Sequence, residues 1–80
     1  MNEKVYDEWL KINVEIHNKL EKLKELDKER EKIIKEAENK EINEEQKEKI
    51  NRSIKLYEML LEEIKTLSAQ AKELKEKIGL

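Results

Sequence analysis

The side chains of this 80-residue chain that could do chemistry are few. It has one histidine, His17, and no cysteine, so neither a His pair nor a Cys/His zinc site can form within one chain. Its only hydroxyls besides the two tyrosines are Ser53, Thr66 and Ser68, and no Gly-rich loop is present. Nucleophilic catalysis needs an activating base beside the nucleophile and oxyanion donors in a pocket. We therefore expect no enzymatic activity, no cofactor and no metal site.

Carboxylates are abundant and recur at helical spacing, as in Glu44 with Glu48 and Glu58 with Glu62. Carboxylate oxygens are suitable ligands for hard cations. However, Asp and Glu number 20 and Lys and Arg number 18, so such pairs arise from composition alone. We interpret them as parts of a solvated helix surface.

The composition favours long amphipathic helices. Charged residues make up 48% and hydrophobic residues 36% of the chain, proline is absent, and the single glycine is Gly79. The hydrophobic residues recur mostly every three or four positions, which is the period of one helix face. The predicted core stripe of the first helix is Val5, Trp9, Ile12, Ile16, Leu20, Leu23, Leu26, Ile33, Ile34 and Ala37. The predicted stripe of the second helix is Ile50, Ile54, Tyr57, Leu60, Leu61, Ile64, Leu67, Ala71, Leu74 and Ile78.

Capping signals delimit two helices within a single domain, residues 1–80. The first helix is predicted over about 3–38, with Asn2 as its N-cap and Asn39 just after its end. A turn over about 39–43 follows. The second helix is predicted over about 44–78.

The second helix has a start signal and a stop signal. Asn43-Glu44-Glu45-Gln46 is a capping-box variant, in which Asn43 and Gln46 satisfy each other's backbone N–H groups. Gly79 suits the left-handed residue that ends a helix, and Leu80 would then fold back toward Leu74.

The short turn predicts an antiparallel helical hairpin in which residues lie level where their numbers add up to about 82. The apolar stripes are wider than the two positions per heptad that a two-stranded seam uses. We therefore expect a homodimer that forms a four-helix bundle, although a bound partner protein would cover the same additional apolar residues.

Arg30 lies within the first stripe with Asp27 three residues before it, and the predicted register places Ser53 and Tyr57 opposite. A buried ion pair is costly unless it is hydrogen-bonded, and such pairs can fix helix register. These four residues are predicted to form a polar core layer. The alternatives are a partly exposed ordinary pair and a contact that recognises a partner.

A second set of apolar residues lies mostly beside the main stripes. Aromatic anchors and methionine are common at binding surfaces. We predict a dimer or partner interface in which a helix of a protein partner is a possible occupant. Its residues are Tyr6, Trp9, Leu10, Val14, Leu56 and Met59.

The segment Leu26-Asp27-Lys28-Glu29-Arg30-Glu31-Lys32-Ile33-Ile34, followed by a polar turn and Glu44-Glu45-Gln46-Lys47-Glu48-Lys49-Ile50, resembles the small export chaperones of bacterial flagella. The FliT type, which serves the filament cap, is closest in pattern, and the resemblance covers about residues 20–68. It implies a non-enzymatic chaperone that binds an amphipathic helix of an export client through its apolar stripe.

These observations favour a helical protein-interaction module, such as an adaptor, chaperone-like or regulatory protein. The polar start, Met1 to Trp9, lacks the apolar region of a signal peptide, so we expect a cytoplasmic protein without a membrane segment. The alternative is a small nucleic-acid-binding regulator, because the architecture is similar to the dimeric helical hairpins of the Rop type. Interleaved charges and the absence of a basic stripe make nucleic acid an unlikely partner.

Overall fold

The computed structural model describes residues 3–38 and 40–79, and these form two long helices. Helix α1 is Glu3–Glu36 and helix α2 is Glu44–Ile78. They pack against each other as a hairpin whose principal axes measure 59 × 15 × 14 Å. No strand occurs in these two described ranges. The predicted all-α helical hairpin is confirmed.

The caps explain where the helices end. The backbone N–H of Gln46 donates to Asn43 Oδ1 (2.8 Å), and the backbone N–H of Asn43 donates to Gln46 Oε1 (3.1 Å), which completes the predicted capping box. Gly79 ends α2 in the left-handed conformation at φ 85°, and its N–H donates to the carbonyl of Lys75.

Helix α1 ends two residues earlier than predicted. Ala37 and Glu38 form a turn, in which the N–H of Glu38 donates to the carbonyl of Lys35 at 3.2 Å. Bonds of this tighter i to i+3 type commonly close the last turn of a helix. The predicted roles of Asn2, Asn39 and Leu80 lie outside the described residues.

Residues at alternating spacings of four and three lie buried or half-buried along both helices. This is the heptad pattern of a two-stranded coiled coil, and we call these two rows the seam. On α1 and the turn that follows it, the seam is Val5, Trp9, Ile12, Ile16, Lys19, Leu23, Leu26, Arg30, Ile33 and Ala37. On α2 it is Gln46, Ile50, Ser53, Tyr57, Leu60, Ile64, Leu67, Ala71, Leu74 and Ile78. Antiparallel alignment pairs seam residues whose numbers add up to 83, which is within one residue of the predicted register.

The core centres on Leu23, Leu26 and Leu60, with Tyr57 and Ile64 packed against them. None of the described large side chains is less than 2% exposed. A core of this kind is one side chain deep, because each helix presents only one stripe to a single neighbour.

Four residues of the predicted stripes lie outside the seam. Leu20, Ile34, Ile54 and Leu61 are exposed, at 43%, 56%, 38% and 46% respectively. They are the residues by which the stripes exceed the two positions per heptad that a single helix neighbour covers. Two polar residues that the apolar pattern did not select, Lys19 and Gln46, occupy seam positions instead.

Candidate interaction surface

The exposed apolar residues concentrate on one side of the hairpin. In the heptads set by the seam, Tyr6, Leu20 and Ile34 occupy e positions of α1, and Ile54 and Leu61 occupy e positions of α2. In an antiparallel pair, the e positions of both helices lie on the same side of the seam. We call this side the apolar flank. It consists of the half-buried Tyr6 and the exposed Leu10, Leu20, Ile34, Ile54 and Leu61.

Leucines occupy the centre of the apolar flank. Leu20 lies at the middle of α1, Leu61 lies at the middle of α2, and the hairpin register places the two nearly level. Toward the turn, the flank continues through Ile54 and Ile34, and toward the open end it continues through Leu10. It therefore extends over most of the length of the hairpin.

Five of the ten e positions on the apolar flank are polar. Asn13 and Ser68 lie level with each other on the open-end side of the leucine pair, Asp27 lies on the turn side, and Lys47 and Lys75 lie near the two ends of α2. Asn13 Nδ2 donates to the backbone carbonyl of Trp9 (2.8 Å), which leaves its amide oxygen available as an acceptor. The flank is thus apolar at its centre and contains few charges.

The opposite side of the seam is charged, and we call it the charged flank. An ion pair between the two helices lies here, in which Lys19 Nζ is 2.6 Å from Glu63 Oε2. A surface groove of about 500 Å³ also opens on this side, and Glu29, Lys49 and Arg52 are among its lining residues. The two sides of the hairpin therefore differ in chemistry.

The predicted interface residues divide between these surfaces. Tyr6 and Leu10 lie on the apolar flank, whereas Val14 lies on the outer face of α1, opposite the seam. Trp9 occupies a half-buried seam position and its ring contacts that of Tyr6, with centroids 5.8 Å apart. Leu56 lines the groove of the charged flank, and Met59 lies further round the same side of α2. Helix geometry thus separates Leu56 and Met59 from the residues on α1. The sequence pattern placed Leu20, Ile34, Ile54 and Leu61 in the stripes and did not distinguish them from the seam residues, so their place on this surface was missed.

The predicted polar layer is partly assembled. Arg30 forms an ion pair with Asp27, and its guanidinium carbon lies 5.0 Å from the ring centroid of Tyr57. The Arg30 and Asp27 side chains are 25% and 55% exposed, so this is a partly exposed pair. Ser53 is buried beside the surface groove of the charged flank.

Two polar atoms of this layer have no hydrogen-bond partner among the described residues. They are Arg30 Nε and Ser53 Oγ, and both are buried. An unpaired buried donor or acceptor loses its hydration without compensation. The polar layer therefore weakens the seam at a point where an apolar pair would strengthen it.

Within the described ranges, no three His, Asp or Glu side chains converge as the ligands of a metal ion would. Neither α1 nor α2 has the length and apolar composition needed to cross a bilayer. The arrangement offers apolar area, hydrogen-bonding side chains and charge as means of recognition. Comparisons with protein-family models, curated proteins and solved structures found no significant match, so the resemblances to FliT-type chaperones and Rop-type hairpins stay predictions.

Proposed function

We propose that this chain is a non-enzymatic helical protein-interaction module that binds through its apolar flank. The observation that carries this proposal is a partial segregation. Five of the eight exposed large hydrophobic residues in the described ranges lie on the apolar flank, whereas the ion pair between the helices lies on the other flank together with Leu56 and Met59. Monomeric proteins seldom expose a continuous apolar surface of more than a few hundred Å². The same segregation does not favour a nucleic-acid partner, which would require clustered cations.

The shape of the apolar flank suits a helical partner. The flank runs along both helices beside the exposed Leu20 and Leu61, and an amphipathic helix can lay its apolar face along such a surface. The simplest assembly of this kind is a four-helix bundle made from two hairpins. An adaptor, chaperone-like or regulatory protein in the cytoplasm would use the flank in this way, and the cytoplasmic location is proposed on the sequence pattern alone.

A matched pair of double variants tests this proposal. Leu20→Lys with Leu61→Lys places two charges on the apolar flank, whereas Leu56→Lys with Met59→Lys places two charges on the charged flank. The residues replaced are comparably exposed, at 43% and 46% in the first variant and at 39% and 60% in the second. Lysine is a good helix former at exposed positions, so neither double substitution should break a helix by itself, and circular dichroism at each protein concentration shows whether the variant is still helical.

We expect the apolar-flank variant alone to lose association. Sedimentation equilibrium would measure self-association, and affinity capture with quantitative mass spectrometry would measure binding of other proteins. Each buried leucine contributes about 1.5–3 kcal/mol, so loss of two from one surface should weaken binding by more than about 100-fold. Equal association of parent and apolar-flank variant in both assays would contradict the proposal. Loss of association in the Leu56/Met59 variant alone would assign function to the other flank.

A further inference from the structure

We propose that the occupant of the apolar flank is a second copy of this chain, related by a two-fold axis that crosses the hairpin at the level of Leu20 and Leu61. The axis lies perpendicular to the helices, so the turns of the two copies lie at opposite ends of the bundle. This inference rests on the proposed function, because it uses the same flank, and it adds the identity and the orientation of the partner.

The accessible surface of the hairpin exceeds that of a compact monomer by about the area that a dimer interface buries. The chain has a mass of 9.7 kDa and an accessible surface of 6663 Å². A compact globular monomer of this mass exposes about 5,100 Å², so the hairpin carries an excess of about 1,500 Å². A stable interface buries about 800 Å² on each partner, and obligate dimers bury more. A second hairpin along the flank would cover an area of this order.

The position of the leucine pair favours a two-fold axis at its level. Leu20 and Leu61 lie at the midpoints of α1 (Glu3–Glu36) and α2 (Glu44–Ile78). A perpendicular two-fold axis at any other level would leave part of the flank uncovered at both ends. At the midpoint it superposes the two hairpins over their full length, and it brings four leucines, two from each copy, into one layer.

About this axis, each e-position side chain of α1 faces a chemically compatible e-position side chain of α1 in the second copy. Facing residues on α1 and its copy then have numbers that add up to 40. Tyr6 faces Ile34 of the second copy, and Leu20 faces Leu20. Asp27 faces Asn13, whose amide can donate a hydrogen bond to the carboxylate. Apolar residues thus meet apolar residues, and the one carboxylate on this row meets a hydrogen-bond donor.

The alternative dimer, with both turns at the same end, matches the flank less well. Its two-fold axis runs along the bundle, so α1 faces α2 of the second copy at the level of the hairpin's own register. Asp27 would then face Ile54, and Ile34 would face Lys47. Each of these contacts places a charge against an apolar side chain, which costs free energy when water is excluded.

The perpendicular arrangement has one pair of like charges. Lys47 faces Lys75 of the second copy, near the ends of the bundle. Long lysine side chains at such positions extend their ammonium groups into water while their methylene groups cover apolar surface. Lys47 also lies 3.5 Å from Glu44 of its own chain, which offsets part of its charge.

A spin-label distance tests the arrangement. The chain has no cysteine, so Glu44→Cys provides a single attachment point at a side chain that is 92% exposed. Glu44 is 17 residues from Leu61, or about 25 Å along the helix axis at 1.5 Å per residue. The perpendicular axis therefore predicts about 50 Å between the two labels. If both turns lie at the same end, the expected distance between the two labels is about 20 Å, which is the width of the bundle plus the length of the labels. Pulsed dipolar spectroscopy resolves these two distances.

The same label is measured in the chain with and without Leu20→Lys and Leu61→Lys, alongside sedimentation equilibrium of each sample. A dimer that depends on the two leucines and gives about 50 Å supports the inference. A dimer that depends on the two leucines and gives a label distance of about 20 Å overturns the perpendicular arrangement, but it still supports the proposed function. A monomer that captures other proteins through the flank overturns the second copy as occupant. A dimer unaffected by the lysines, or a monomer without flank-dependent binding, overturns both proposals.

Discussion

Replacing the buried hydroxyl of Ser53 should stabilise the protein. Ser53 occupies a seam position, is only 8% exposed, and its Oγ has no hydrogen-bond partner among the described residues. Ser53→Ala removes this oxygen and keeps the rest of the side chain. The substitution leaves a small apolar residue opposite Arg30, where the seam register already places a small one.

Two contributions set the expected magnitude. A buried polar group without a partner costs about 1–3 kcal/mol, and the substitution recovers part of this cost. Alanine is also a better helix former than serine by about 0.5 kcal/mol. We therefore expect a gain of about 1–2 kcal/mol in the free energy of unfolding. For a chain of this size, that gain raises Tm by about 5–15 °C.

The control is the same substitution at Ser68, which is exposed on α2. Because Ser68 lies on the apolar flank, both serine variants are made in the Leu20→Lys/Leu61→Lys chain, in which association through the flank should be lost. There Ser68→Ala changes helix propensity alone and should gain about 0.5 kcal/mol. Thermal and urea unfolding would be followed by circular dichroism at one protein concentration, because association shifts apparent stability. The difference between the two variants isolates the effect of burying the hydroxyl.

The reasoning is refuted if Ser53→Ala gains no more than Ser68→Ala. That result would mean that Ser53 Oγ is satisfied in solution, for example by an ordered water that also reaches Arg30 Nε. A loss of stability in Ser53→Ala would give the hydroxyl a positive structural role. Either result would remove the polar layer as the weak point of the seam.

Three further predictions concern the seam and the caps. Leu60→Ala should cost about 2–4 kcal/mol in urea unfolding, whereas Leu61→Ala should mainly weaken association, because these neighbours are 8% and 46% exposed; equal effects on unfolding would contradict the seam. Asn43→Ala should cost about 1 kcal/mol, since it removes the cap of α2, and unchanged urea unfolding would show that the capping box contributes nothing. Leu60→Asp should greatly reduce helicity in circular dichroism, because it places a carboxylate in the core cluster opposite Leu23, and a fully helical variant with unchanged Tm would refute the core assignment.

The helices and their connection could be predicted from the sequence because their signals are local. Asn43 with Gln46 and Gly79 specify the ends of α2 through contacts within a few residues. The end of α1 was placed two residues too late, since the N–H of Glu38 bonds to Lys35 in a tighter turn. A pattern of hydrophobic residues does not distinguish that turn from one more residue of helix.

The assignment of apolar residues to surfaces could be predicted only in part. The predicted stripes contain both the core residues Leu23, Leu26 and Leu60 and the exposed residues Leu20 and Leu61, and the pattern does not separate the two groups. At 100° per residue, positions a, d and e fall within one broad face, and the sequence does not state how many neighbours a helix has. The number of neighbouring helices decides whether an e position is buried or exposed. In a single hairpin each helix has one neighbour, so the e positions stay exposed.

The weakness of the seam and the width of the apolar flank have a common physical basis. Four seam positions are polar, namely Lys19, Arg30, Gln46 and Ser53, so contact between the two helices buries less apolar area than a regular heptad repeat would. At two of these positions, a hydrophobic residue lies one position further along, on the flank: Leu20 follows Lys19, and Ile54 follows Ser53. Under the proposed assembly, covering the flank would bury the apolar area that the polar seam positions do not bury. Association should therefore raise the free energy of unfolding, and folding should favour association.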